Sequence, residues 1–141
     1  SLQFKGASFI LQKATVNGQP FYQNGEAIKT LEINGAEPIK IDYEFLNSGE
    51  PLKRNFNVFV HFEGKRAIVA QGDFEPSIPT SSWVKDKPVS LSESVSLSNE
   101  RDSTLAVYIG LYDTKDGTRA AMSNKGFSSD GRLPLGILKV K

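Results

Sequence analysis

An alternation of apolar and polar side chains recurs along this chain and limits its fold more than any other feature of the sequence. In residues 38–45 every second side chain is apolar, and the side chains between them are charged. A period of two is typical of a β-strand with one buried face, because successive side chains point to opposite sides of the strand. The same parity recurs in 56–62, 89–97 and 105–111. We therefore predict strands in these four segments.

Shorter strand candidates and two long loops complete the pattern. A tight turn at 63–65 joins residues 56–62 to 67–71 as a predicted hairpin. The less regular candidates are 4–11, 27–33 and 137–140, the last as a final edge strand. Two segments with prolines or glycines, 73–88 and 123–134, are predicted to be loops, because proline cannot donate a hydrogen bond in a central ladder.

The number and spacing of these elements favour an all-β fold with little helix. About seven to nine short strands indicate two antiparallel sheets packed as an immunoglobulin-like β-sandwich. The chain has 141 residues, a length that fits one domain with a core of its own. We expect a single sandwich domain over 1–141, a unit that is compatible with excision from a longer protein.

Composition and charge argue against several classes of function. Lys and Arg number 17 against 16 Asp and Glu, and they are scattered, so the chain lacks the positive surface that binds nucleic acid. The absence of cysteine removes disulfides, thiolate nucleophiles and thiolate metal sites. The apolar runs are too short to cross a bilayer, so we expect no membrane insertion by this domain. P-loop and dinucleotide-binding motifs are absent, and we expect no cofactor.

Side chains suited to catalysis are few. His61 is the only histidine, and a buried, hydrogen-bonded role is its ordinary explanation. Without a second histidine or a cysteine, an ordinary zinc site is not expected. Asp42 and Glu44 share one face of a predicted strand about 6 to 7 Å apart, which resembles the spacing of glycosidase carboxylates. Acidic residues on an exposed strand face are routine, so we expect no enzyme, and a hydrolase is the alternative.

Four aspartates at strand ends or in loops form a second set of candidates. They are Asp73, Asp113, Asp116 and Asp130. Carboxylate oxygens are ligands that calcium prefers. Asp116 and Asp130 each precede a glycine, however, and Asp-Gly is an ordinary turn former. A role in turns is therefore favoured, and calcium binding stays as the alternative.

Aromatic side chains give the most specific prediction of a surface. If the apolar parity of 105–111 faces the core, rings from two neighbouring strands share the opposite face. The residues that this places together are Phe59, His61, Tyr108 and Tyr112. Such a surface suits stacking on sugars or burial in a protein interface. Trp83 lies in the loop 73–88, which in one alternative covers this face as a small second core and in the other leaves it open.

An ordered series of short motifs resembles a known type of domain. The motifs are Val58-Phe59-Val60-His61-Phe62, Ala70-Gln71-Gly72-Asp73, Pro79-Thr80-Ser81-Ser82-Trp83, Gly110-Leu111-Tyr112-Asp113 and Gly117-Thr118-Arg119. Over residues 38–141 the series resembles the immunoglobulin-like β-sandwich domains appended to bacterial glycoside hydrolases and membrane glycosyltransferases. The resemblance implies an accessory, non-enzymatic module at or outside the bacterial envelope, with no agreed ligand-binding residues. The positions that match its signature are His61, Asp73, Trp83, Tyr112 and Arg119.

Two expectations about function follow. The first is a non-catalytic accessory module of an extracytoplasmic, carbohydrate-related bacterial protein that makes weak contact with a glycan, without a metal or cofactor. The contact residues expected for it are Trp83, Tyr108, Tyr112, Phe59 and His61. The second is a structural or protein-interaction domain that spaces or braces a neighbouring domain of the same chain and binds no small molecule. In this alternative all of the rings are internal.

Overall fold

The chain folds into two packed β-sheets. A computed structural model describes residue 4 and residues 6–141. Helical structure in this part is limited to two short 3₁₀ turns, Thr80–Ser82 and Ser98–Glu100. The all-β, two-sheet sandwich with little helix is therefore confirmed. The strands are β1 (Phe9–Val16), β2 (Gln19–Gln23), β3 (Lys29–Ile33), β4 (Ile39–Asn47), β5 (Asn57–Glu63), β6 (Ile68–Gln71), β7 (Val89–Val95), β8 (Ser103–Tyr112), β9 (Arg119–Ala120) and β10 (Leu133–Val140).

The strands divide into a four-stranded and a six-stranded sheet. Sheet A has the order β2-β1-β4-β7 and is antiparallel throughout. Sheet B has the order β3-β10-β8-β5-β6, and β9 pairs with β8 where β10 does not reach. The turn between β1 and β2 is Asn17-Gly18, and both residues have positive φ, as a two-residue hairpin turn of type I′ requires.

The core lies between the sheets and follows the alternation in the sequence. The inward side chains of β4 and β8 are each at most 2% exposed. They are Ile39, Ile41, Tyr43 and Phe45 from β4 and Leu105, Val107, Ile109 and Leu111 from β8. Burial of an aliphatic or aromatic side chain of this size contributes about 1.5–3 kcal/mol. The two predicted inner faces are thus confirmed.

The strand order differs from the prediction at the carboxyl end. β10 begins at Leu133 and lies between β3 and β8, so it is an interior strand and not a final edge strand. Pro134 lies inside β10, where the register with β8 shifts between Pro134 and Gly136. This bulge interrupts the ladder at the residue that cannot donate to it. β3 runs parallel to β10, so sheet B is mixed and not purely antiparallel.

Two short strands were missed, and the boundaries of several other strands differ from the prediction. β2 and β9 were not predicted, because strands of five and two residues carry too little alternation to be recognised. They raise the number of strands in the described part to ten. The candidate strand 4–11 begins later, as β1 at Phe9, and residue 5 of that candidate lies outside the described residues.

The two long loops are fastened to the sandwich. Segment 72–88 crosses from β6, at the edge of sheet B, to β7, at the edge of sheet A. Segment 121–132 leaves β9 and returns as β10 beside the same strand, β8. On its way it is tied to sheet A by the buried Asn124, which bonds both the N–H and the carbonyl of Leu11. This second loop is the one that shapes the surface described next.

Candidate functional site

The outer face of sheet B carries the four predicted rings. β5 and β8 are neighbours, and His61 lies opposite Tyr108 in their register. The Phe59 ring centroid is 4.6 Å from that of His61 and 6.1 Å from that of Tyr112. The prediction that these side chains share one face is confirmed. Their role as ligand contacts stays a prediction.

Two arginines cover two of these rings. The guanidinium carbon of Arg119 lies 4.5 Å from the Phe59 centroid, and that of Arg132 lies 4.0 Å from the Tyr108 centroid. Both distances are typical of favourable cation–π contacts. Phe59 is only 3% exposed and His61 only 8%. Phe59 and Tyr108 are therefore covered by arginines, while Tyr108 and Tyr112 remain partly exposed.

The loop 121–132 completes this cover. A Cβ atom on Gly110 would overlap the Phe59 ring and lie 2.6 Å from the carbonyl oxygen of Gly131, so the loop and the ring meet over this glycine. Gly131 has φ +87°, and a Cβ atom on it would lie 2.8 Å from the Arg119 side chain. Arg119 in turn donates a 3.0 Å hydrogen bond to the carbonyl of Asp130. Segment 121–132 thus lies over part of the ring-rich face.

Trp83 lies in the main core. Its side chain is fully buried between Phe9 and Phe45, with ring centroids 5.9 and 5.4 Å away. Its Nε1–H donates a 2.8 Å hydrogen bond to the carbonyl of Ile78. Loop 72–88 therefore reaches the ring-rich face at Asp73 but does not present its tryptophan there. Trp83 therefore has no exposed surface for a ligand in this structure, which argues against its predicted contact with a glycan.

A concavity of about 180 Å³ opens beside the covered rings. Its lining residues are Phe59, His61, Asp73, Tyr112, Gly117 and Arg119. The structure thus brings together four of the five positions that match the domain signature, and leaves out only Trp83. The volume is below the roughly 300–1,000 Å³ of pockets that hold drug-sized ligands. The concavity has room for one small group or ring and not for an extended ligand.

Asp73 is positioned by an interruption in strand pairing next to β6. The N–H of Gly72 donates to the Val60 carbonyl over 2.8 Å. Asp73 Oδ1 then accepts the Val60 N–H over 3.1 Å, in place of a backbone carbonyl. Interior N–H groups need an acceptor, so an aspartate fits this irregular point. The carboxylate is thereby fixed at the edge of the concavity.

His61 combines burial with an unpaired nitrogen. Burial lowers the pKa of His61, with the Asp73 carboxylate acting in the opposite direction and the Arg119 and Arg132 cations lowering the pKa further. The imidazole is therefore neutral at pH 7. Its Nδ1 is buried and has no hydrogen-bond partner among the described residues. The predicted burial is found, but the hydrogen bond expected with it is not made at this atom.

Asp42 and Glu44, the hydrolase alternative, lie on the outer face of sheet A. They line a shallow concavity of about 370 Å³ together with residues of β1 and β7. Each carboxylate lies beside a lysine: Lys40 Nζ is 3.7 Å from Asp42, and Lys13 Nζ is 3.3 Å from Glu44. Half-exposed ion pairs of this kind are ordinary features of a protein surface.

The other aspartates serve turns and ion pairs. Asp113 Oδ1 accepts the Lys115 N–H, and Asp116 Oδ1 accepts the Thr118 N–H, so the favoured role in turns is confirmed for both. Arg54 bridges the same two carboxylates. Hydrogen bonding from Lys115 and Arg54 lowers the pKa of Asp113.

Sequence reasoning missed the arginines as the cover of the rings. Arg119 and Phe59 come from distant segments, and a cation stacked on a ring leaves no local periodicity. Arg132 also bonds Glu63 and Asp130, which fixes it over Tyr108. The ordered series of short motifs was the one signal in the sequence that singled out Arg119 and Asp73. It does not indicate that these two residues meet at one concavity.

Comparison with known protein families finds no family that matches this chain, and comparison with curated proteins finds no similar sequence. In residues 4 and 6–141, no helix is long and apolar enough to cross a membrane. Over the same residues, no group of three or more His, Cys, Asp or Glu side chains is placed to hold a metal ion.

Proposed function

We propose that this chain is a non-catalytic accessory domain of an extracytoplasmic, carbohydrate-related bacterial protein, and that it mainly braces a neighbouring domain as a rigid spacer. The immunoglobulin-like character and the location in the periplasm, at the cell surface or outside the cell rest on the motif resemblance. The observation that carries the bracing role is the complete burial of Trp83. The residue best suited to stack on a sugar is used to build the core.

The fastening of the Trp83 loop supports this role. A long loop in a compact domain is usually functional or packed down. Here Thr80 Oγ1 accepts the Phe56 N–H over 3.0 Å, and Asn55 Oδ1 accepts the Ser81 N–H over 2.9 Å. Together with the tryptophan, these bonds make the loop part of the rigid body. A rigid loop holds a neighbouring domain in one position without the entropic cost of ordering a mobile segment on contact.

The same loop offers apolar contact points. Ile78 and Val84 flank Trp83 in sequence and remain 44% and 57% exposed. Apolar side chains held on a fastened loop suit burial against a second domain, because their position is already fixed. We therefore place the contact with a neighbouring domain at this loop.

Hydrogen exchange tests the bracing role. Amide exchange of the isolated 141-residue chain is compared with exchange of the same residues in the polypeptide encoded by the complete open reading frame. We expect slower exchange in segment 72–88 of the longer polypeptide and a loss of this protection in the double variant Ile78→Ser, Val84→Ser. The matched control Ile28→Ser changes an apolar residue of similar exposure, 50%, outside this loop. Equal exchange of segment 72–88 in both contexts contradicts the proposal.

Weak glycan contact is a second role, favoured by the concavity that contains Asp73, Tyr112 and Arg119. Stacking on Trp83 or Phe59 is not its basis, because both are buried. Tyr112 is the part-exposed ring that lines the concavity. Affinity electrophoresis in gels with soluble polysaccharides tests it. We expect retardation of the native chain and its loss in Tyr112→Ala, provided that circular dichroism shows the variant folded. Equal mobility of the native chain in gels with and without polysaccharide contradicts this role.

A further inference from the structure

We infer that the concavity beside Arg119 recognises the hydroxyl groups of one uncharged sugar unit, with Arg119 and Asp73 as the main polar contacts. The inference rests on the glycan contact proposed above and names its site and its class of sugar. It assigns recognition to charged and polar side chains, where the sequence pointed to stacking on exposed rings.

The balance of charge at the concavity selects an uncharged ligand. Arg119 contributes one positive charge, Asp73 contributes one negative charge, and burial keeps His61 neutral. An anionic group that approaches Arg119 also meets the Asp73 carboxylate, and a cationic group meets the guanidinium. A hydroxyl both donates and accepts, so adjacent hydroxyls satisfy a carboxylate and a guanidinium at once. Such charge-assisted hydrogen bonds are stronger than neutral ones.

Both charged groups are already held in place. Arg119 is stacked on Phe59 and donates to the Asp130 carbonyl. Asp73 accepts the Val60 N–H through Oδ1, and we assign its second oxygen to the ligand. Side chains that are ordered before binding lose little freedom when a ligand arrives. Both side chains are thus already in position before a ligand binds.

The unpaired nitrogen of His61 is an independent sign of a functional site. The imidazole lines the concavity, more than nine-tenths of the residue is buried, and its Nδ1 has no partner among the described residues. Native proteins leave few buried polar atoms unpaired, and each such atom calls for a specific reason. Here the residue that carries the unpaired atom also lines the polar concavity.

The size of the concavity limits both the ligand and the affinity. About 180 Å³ accommodates one ring and not a chain of sugars. At ordinary ligand efficiency, a sugar unit with roughly twelve non-hydrogen atoms binds with a dissociation constant of about 1 mM. The method must therefore detect weak binding.

Nitrogen-15 NMR titration of the 141-residue chain meets this requirement. The neutral probes are methyl β-glucoside and methyl α-mannoside, and the charged probes are glucuronate and glucosamine. We expect saturable shift changes with at least one neutral probe, centred on the amides of 59–61, 72–74 and 112–119. The charged probes are expected to bind at least about tenfold more weakly than the better neutral probe.

Three variants and one control locate the site. Arg119→Gln and Asp73→Asn are each expected to weaken binding about tenfold, and Asp73→Asn retains an oxygen for the Val60 N–H. Tyr112→Phe removes one hydroxyl and is expected to weaken binding by a smaller factor. The control is Arg66→Gln, an exposed arginine in the turn before β6, which should bind as the native chain does. The amide spectrum shows directly whether each variant is folded.

The outcomes separate this inference from the proposed function. Binding of a neutral probe that is weakened in Asp73→Asn and Arg119→Gln supports the inference. Tighter binding of glucuronate or glucosamine overturns the class of sugar but leaves glycan contact standing. Saturable shifts that these variants do not change overturn the site. If no probe gives saturable shifts, the inference and the glycan role both fail, and the bracing role is judged by hydrogen exchange alone.

Discussion

Tyr43 of β4 donates a 2.7 Å hydrogen bond to Glu93 of β7, so two inward-facing polar groups meet at the edge of the sandwich. The Glu93 carboxylate also lies against Gly72, where a Cβ atom would be 3.1 Å from either of its oxygens. Burial raises the pKa of Glu93 to about 7, with the Tyr43 hydrogen bond lowering the pKa and the nearby Asp73 raising it. The carboxyl therefore titrates near neutrality.

This raised pKa predicts a stability that falls as the pH rises. The folded state binds the Glu93 proton more tightly than the unfolded chain, whose pKa is near 4.5, so the free energy of unfolding declines between about pH 4.5 and 7. Glu93→Gln removes this decline. As the pH is raised from 4 to 8, we expect the free energy of unfolding of the variant to increase by about 1–2 kcal/mol relative to that of the native chain. This is less than the full linkage value, because water screens the half-buried carboxyl.

Urea unfolding at both pH values measures this difference. The control Glu32→Gln alters an exposed carboxylate beside Lys141 and should keep the native pH dependence. The lowered pKa of His61 acts in the opposite sense, since it costs stability as the pH falls below 6.5, but it is common to all three proteins and cancels. Identical pH slopes for the native chain and Glu93→Gln would show that Glu93 has an ordinary pKa.

The burial of Trp83 predicts a distinctive fluorescence signal. Trp83 is the only tryptophan, so emission reports on this side chain alone. We expect a blue-shifted spectrum and little quenching by iodide or acrylamide in the folded chain. Trp83→Ala should cost about 3–5 kcal/mol in urea unfolding, because it leaves a large cavity between the Phe9 and Phe45 rings. Strong quenching in the folded state would place the indole at the surface.

The buried amide of Asn124 is predicted to hold the second loop. Asn124 accepts the Leu11 N–H over 2.9 Å and donates over 2.7 Å to the Leu11 carbonyl and to the Tyr22 hydroxyl. Asn124→Leu leaves the two backbone groups unpaired, and we expect a loss of about 2–4 kcal/mol. Asn34→Ala, which removes an exposed bond to the Ala36 N–H, is the control and should cost much less. Unchanged exchange at the Leu11 amide in Asn124→Leu would argue against this role.

The sequence predicted the parts of the fold in which one strand face is buried along several residues. β4 and β8 are such strands, and their inner and outer side chains follow from the period of two. β9 has two residues, and β10 contains a proline at a bulge, so neither shows the pattern of an interior strand. Strand order depends on long-range pairing, which leaves no mark in a local window.

The candidate site, like the fold, could be predicted from strand parity but not beyond it. Parity placed Phe59 and Tyr112 on one face, and the structure confirms this placement. Parity did not indicate what covers that face, because Arg119 and Gly131 reach it through contacts between distant segments. The position of Trp83 was equally hidden, since an aromatic residue in a loop has no strand parity from which its direction can be inferred.

Gly110 tests the cover over the ring-rich face. A Cβ at this position would overlap the Phe59 ring on one side and approach the Gly131 carbonyl to 2.6 Å on the other. The carbonyl belongs to the backbone of a tied loop and cannot move freely. We therefore expect Gly110→Ala to lower the free energy of unfolding by about 1–3 kcal/mol, as overpacking does.

Gly64→Ala is the matched control for Gly110→Ala, since its Cβ would only meet Val69 at an ordinary 3.5 Å. It should be neutral or stabilising by up to about 1 kcal/mol, because alanine restricts the unfolded chain. Combining Gly110→Ala with Phe59→Leu removes one of the two overlaps, so the double variant should lose less stability than the sum of the single variants. Strict additivity, or a Gly110→Ala variant as stable as the native chain, would mean that the ring and the loop do not close over this glycine.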